Sequence, residues 1–102
     1  MTSRYFKRRW DETRGDQHAS WGSAIYYFEV NESGDVLRQM EVYDGGQRLR
    51  YSVPDDLGDV FGFLSVVPLD FDAFSDCGIS VEEFDGVWVA GPWTNDSSER
   101  PT

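Results

Sequence analysis

The stretch AIYYFEVNESGDVLRQMEVY, residues 24–43, decides how this chain is read. Ala24–Val30 is mostly β-branched or aromatic, the composition of a pleated, half-buried strand. NESGD, residues 31–35, is a run of turn formers around Gly34. Val36–Tyr43 then alternates: Val36, Arg38, Met40 and Val42 face one way, and Leu37, Gln39, Glu41 and Tyr43 face the other. Strand, tight loop and alternating strand make a β-hairpin.

Working outward, Asp44, Gly45 and Gly46 form a second turn signature. Residues 47–53 (QRLRYSV) follow as a strand with Leu49, Tyr51 and Val53 on one face. On the other side, Arg4–Trp10 (RYFKRRW) places Phe6, Arg8 and Trp10 on one face and Tyr5, Lys7 and Arg9 on the other. Residues 11–22 are polar and glycine-bounded, a loop. The sum is an antiparallel meander of about four strands. Pro54 ends the pattern, because proline donates nothing to a ladder. Residues 55–67 stay open between a short helix and a packed loop: Leu57, Val60, Phe61 and Leu64 have helical spacing, but Gly58 and Gly62 weaken it.

A helix opens at Ser80. Ser80 and Glu83 fit a capping box, and Ile79 and Phe84 fit a hydrophobic staple. Val81, Phe84, Val87 and Trp88 make an apolar stripe that docks on the sheet. Gly91-Pro92 stops it. The expected fold is therefore α+β: an antiparallel β-meander of about four strands with a C-terminal helix packed on one face. One domain covers residues 1–93, and residues 94–102 form a flexible tail.

The chain has 102 residues, a formal net charge of −10, and 39% hydrophobic and 16% aromatic content. That is too apolar for a disordered acidic chain. The charge is uneven. Arg4, Lys7, Arg8, Arg9 and Arg14 make the first segment basic, whereas no Lys or Arg occurs between Tyr51 and Glu99. An acidic domain repels phosphate, so nucleic acid and acidic membranes are excluded as main partners. The basic arm Lys7-Arg8-Arg9 could bind an anion or pair with the acidic face of its own fold, and the second is expected. One cysteine, Cys77, rules out an intrachain disulfide. With no apolar leader and no run near the ~20 residues of a membrane helix, the expected location is cytoplasmic.

Few residues point to catalysis. His18 is the only histidine and reads as an exposed residue of a polar loop, and Cys77, next to Asp76, reads as a structural or incidental thiol. One His and one Cys do not close a zinc site. The aspartate sets 55, 56, 59 and 70, 72, 76 lack the spacing of a calcium loop. No cofactor, metal or catalytic residue is expected. What stands out instead is residues 55–85, where acids and phenylalanines interleave with no base. Asp55, Asp56, Asp59, Asp70, Asp72, Asp76, Glu82 and Asp85 are the candidate partner-binding set. The phenylalanines serve as core or as interface anchors, and the acids as binding surface or as solubilising surface.

FKRRWDETRGDQ, WGSAIYYFEV, LRQMEVYDGGQRLRYS, GFLS, PLD and ISVEEFDGVW, spread from Tyr5 to Trp88, resemble a family of small acidic bacterial proteins. That family is in turn similar to the immunity proteins of polymorphic-toxin systems. The resemblance implies a non-enzymatic cytosolic protein that neutralises a toxin, and it carries no catalytic residue; the acidic segment suits a basic, nuclease-like toxin, because its carboxylates can stand where phosphates would sit. The alternative is a structural or regulatory module that binds a non-toxin protein.

Overall fold

The computed structural model describes residues 3–54, 57–59 and 61–95. The four expected strands are present as β1 (Arg4–Trp10), β2 (Ala24–Val30), β3 (Val36–Tyr43) and β4 (Arg48–Ser52). Two short strands, β5 (Gly58–Asp59) and β6 (Gly62–Phe63), pair as a separate hairpin, so the described residues of the open stretch 55–67 contain a strand pair and no helix. A further two-residue strand, β7 (Gly78–Ile79), pairs antiparallel with β1 and precedes the helix α1 (Val81–Trp88). The main sheet is thus five-stranded, in the order β4-β3-β2-β1-β7, and every pairing is antiparallel. β7 is too short to show alternation, but it caps the outer edge of β1, where the Lys7 amide also donates to the Cys77 carbonyl at 2.9 Å. No helix among the described residues is long and apolar enough to cross a membrane.

Both faces of the sheet are covered. On one face Tyr27 and Met40 pack with Phe84 of α1 and with Trp93, and Tyr5, Ile25, Ile79 and Trp88 extend this layer. The Tyr5 and Phe84 rings lie 5.2 Å apart. Phe84 is fully buried, which stabilises the fold by about 1.5–3 kcal/mol through apolar burial. Ser80 caps α1: its hydroxyl accepts from the Glu83 amide at 3.0 Å. The other half of the expected capping box is replaced, since the Glu83 carboxylate takes the Lys7 ammonium at 2.8 Å. The far end of α1 has no base of its own. Arg48 and Arg50 reach over from β4 and donate to the Val87 and Trp88 carbonyls, which satisfies a terminus that favours positive charge.

The opposite face carries Phe6, Val30, Val36, Tyr43, Leu49 and Tyr51. One expectation changes here. Val36 belongs to this core and not to the Met40 side, because pairing shifts between Glu29↔Arg38 and Val30↔Val36. The shift inserts Leu37 as an extra residue, and one extra residue reverses which way a side chain points. β4 also stops at Ser52, leaving Val53 exposed.

Residues 57–59 and 61–77 cross this face from β4 to β1 as an overlay. The Ser65 amide donates to Gln39 Oε1 at 2.9 Å. The Leu69 amide donates to the Gly34 carbonyl at 2.8 Å. Phe71 and Phe74 then pack on Phe6, with ring centroids 6.1 Å apart in each case. Gly34 has φ +87°, and a Cβ there would sit 2.8 Å from the Leu69 carbonyl oxygen. Only glycine accepts both conditions.

Residues 94 and 95, expected as part of the tail, are docked at the β4 edge, and residues 96–102 lie outside the described residues. Thr94 exchanges two hydrogen bonds with the Arg48 backbone, through its amide at 2.6 Å and its hydroxyl at 2.9 Å. Asn95 does the same for Arg50, accepting at 3.1 Å and donating at 3.0 Å.

Candidate functional site

Cross-strand pairing builds a polar floor on the overlay side of the sheet. The register sets Arg8, Tyr26, Glu41 and Leu49 in one row and Phe6, Phe28, Gln39 and Tyr51 in the next. Glu41 and Gln39, only 5% and 4% exposed, are buried polar groups in an apolar sheet face. Such groups require partners, and they have them. The Gln39 amide donates to Glu41 Oε2 at 3.0 Å and to the Phe63 carbonyl at 3.3 Å. The Tyr43 hydroxyl donates to Glu41 Oε1.

Arg14 arrives from the loop after β1, with its Nη1 3.7 Å from Glu41 Oε1. It also donates to Tyr43 at 3.0 Å, to Asp16 at 3.1 Å and to the Phe61 carbonyl. Burial, reinforced by the Glu41 carboxylate, pushes the Tyr43 and Tyr26 phenols above their ordinary range. His18, expected as an exposed loop residue, is half-buried and stacks on Trp21 with ring centroids 4.4 Å apart.

Above this floor lies an open cavity of about 490 Å³. Arg8 and Trp10 of β1, Tyr26 and Phe28 of β2, Phe63 of β6 and Phe74 of the overlay supply its walls. The sequence signal for it was the pair Gln39 and Glu41 on the same strand face as Tyr43. Two polar side chains on a face that must be covered call for a buried network. Arg14 was out of reach of local reasoning, because its contact with Glu41 spans the whole first hairpin.

The candidate acids do not form one patch. Asp55 and Asp56 lie outside the described residues. Asp59 is internal to the fold: it accepts from the Tyr51 hydroxyl at 3.0 Å, the Phe61 amide at 2.9 Å and the Asn95 amide group at 2.9 Å. Asp70, Asp72 and Asp76 are exposed on the overlay, where Asp70 Oδ1 accepts from the Asp72 amide at 3.0 Å. Glu82 and Asp85 sit on α1, across the sheet from the overlay, and Asp85 pairs with Arg38 at 3.0 Å. Earlier in the same overlay, Phe63, Val66 and Val67 are 65%, 84% and 69% exposed.

The cations are mostly spent inside the molecule. Lys7 pairs with Glu83, Arg9 with Asp44 at 3.0 Å, and Arg38 with Glu29 and Asp85. Lys7, Arg9 and Arg14 of the basic arm therefore fold back on the protein's own acids, whereas Arg4 and Arg8 have no ion pair among the described residues and lie over aromatic rings instead. Among the described residues, no three His, Cys, Asp or Glu side chains converge to hold a metal ion. No family model, curated protein or solved structure matches the chain.

Proposed function

We propose that this chain is a non-enzymatic binding protein that neutralises a basic protein partner, in the manner of a toxin-immunity protein. The observation that carries the reading is the outer surface of the overlay. Phe63, Val66 and Val67 stand exposed a few residues from Asp70, Asp72 and Asp76, and none of these aspartates has an ion-pair partner among the described residues. Contiguous exposed apolar residues beside charge mark protein interaction surfaces. The apolar side chains supply buried anchors, and the carboxylates steer a cationic partner. The overlay is pinned at Ser65 and Leu69, so the surface is largely formed before a partner arrives.

The test begins with capture of partners on the tagged protein at low salt and their release by raised salt. A single basic protein, toxic when expressed alone, is the expected result. With that protein in hand, D70K/D72K/D76K slows association at least about ten-fold at low salt and flattens its salt dependence. A V66S/V67S variant speeds dissociation instead. Unchanged rates in both variants place the interface elsewhere, and a captured partner that is harmless alone moves the function to a regulatory module.

A further inference from the structure

The cavity floor uses up its polar groups. Gln39 spends its amide group on Glu41 and Phe63 and its oxygen on Ser65. Arg14 serves Asp16, Glu41, Tyr43 and Phe61. One charged side chain in the cavity is left over. The Arg8 guanidinium has no ion pair and donates no hydrogen bond among the described residues, in a chain with nineteen acids against nine Lys and Arg. It lies between two rings, its Cζ 5.1 Å from the Phe74 centroid and 5.6 Å from that of Trp10. Those rings hold the guanidinium by cation–π attraction and leave its N–H edge free. A free guanidinium fork matches a carboxylate in a bidentate pair. The other walls are flat and apolar: Tyr26, Phe28 and Phe63. The volume falls in the range of small-molecule pockets, about 300–1,000 Å³.

We propose that this cavity binds a small, flat aromatic carboxylate, with its rings against Trp10, Phe28 and Phe63 and its carboxylate on Arg8. Arg14 pairs with both cavity carboxylates, Asp16 and Glu41, which leaves that trio one net negative charge, and Arg8 brings the cavity lining to zero. The net charge of −10 acts over longer range. At physiological salt, screening over about 8 Å leaves the contact charge of Arg8 to decide. The cavity shares Phe63 with the overlay's exposed surface but includes none of Val66, Val67, Asp70, Asp72 and Asp76, so its test does not depend on the partner proposed for that surface.

The probe is 2-naphthoate, compared with 2-naphthamide, its neutral and equally flat analogue. Both are titrated into the isotope-labelled chain and followed by amide and indole chemical shifts. Naphthoate is expected to shift the Trp10 indole and the amides of Phe28 and Phe63, and to bind at least about ten-fold tighter than the amide, the value of one charge-assisted pair. Arg8→Gln brings naphthoate down to the affinity of the amide, and Arg8→Lys, which keeps charge without the fork, falls between. An unchanged near-ultraviolet spectrum of the apo variants shows that the cavity survives. Equal affinities for acid and amide, insensitivity to Arg8→Gln, or no shifts at about 5 mM probe, a fragment-strength ceiling, overturn the proposal.

Discussion

Gly34→Ala tests whether the overlay is held where the structure puts it. The substitution acts in two ways. At φ +87° an alanine pays the left-handed penalty, about 1–2 kcal/mol. Its Cβ would also meet the Leu69 carbonyl oxygen at 2.8 Å, and the atom in the way is backbone. Relief moves residues 65–76 off the β2–β3 turn and breaks the Leu69-to-Gly34 hydrogen bond, worth about 1 kcal/mol. The sum is about 2–3 kcal/mol. With a urea slope of about 1.5 kcal/mol/M, the unfolding midpoint falls by about 1.3–2 M. Gly46→Ala is the control, since Gly46 has φ +99° but nothing within 4 Å of its Cβ position. It carries the backbone penalty alone. The difference between the two variants therefore reads the Leu69 contact by itself, and hydrogen exchange at the Leu69 amide should quicken only in Gly34→Ala. If both variants lose the same stability and Leu69 exchange is unchanged, the close approach of the overlay to this turn is refuted.

Two further outcomes follow from the two cores. Phe84→Ala empties the centre of the helix-side core and should destabilise by about 3–5 kcal/mol, against about 1 kcal/mol for the Ser80→Ala cap loss, both read by urea unfolding. Stability should also fall at both pH extremes. Burial and the neighbouring carboxylates Glu41 and Asp59 hold the Tyr43 and Tyr51 phenols above their unfolded value, so their contribution is intact below about pH 10 and lost as pH rises beyond it. On the acid side, the Arg9 guanidinium holds Asp44 low and the His18 amide holds Asp16 low. Their contribution is present above the ordinary carboxylate range, about pH 4, and lost as pH drops through it and below. Tyr51→Phe should flatten the alkaline limb of a urea-midpoint profile and Asp44→Asn the acid limb; a profile unmoved by either change removes these groups as its cause.

The fold was legible where local patterns repeat. Residues 24–43 announced their hairpin through composition, turn chemistry and alternation, and Ser80 announced its helix through the cap. What stayed hidden depended on distant partners. β7 has two residues and exists because β1 needs an outer neighbour. Leu37 reads as an ordinary strand residue, and only pairing with β2 makes it a bulge that sends Val36 to the other core. The acids between residues 55 and 85 read as one group because they are close in sequence. The chain instead crosses the sheet, turns the edge at β7 and returns on the far side, so Asp70 and Asp85 face different halves of the surroundings. Arg14 and Glu41 are the converse case, far apart in sequence and joined in space.

Thr94 and Asn95 do for β4 what another strand would do. They fill the backbone donors and acceptors of Arg48 and Arg50 largely with side-chain groups, outside any strand among the described residues. A sheet edge left open is a template on which a second molecule can polymerise. These two residues thus act as a chain terminator for the sheet, and a protein cut back to Trp93 would keep both cores while presenting an adhesive border to its own copies.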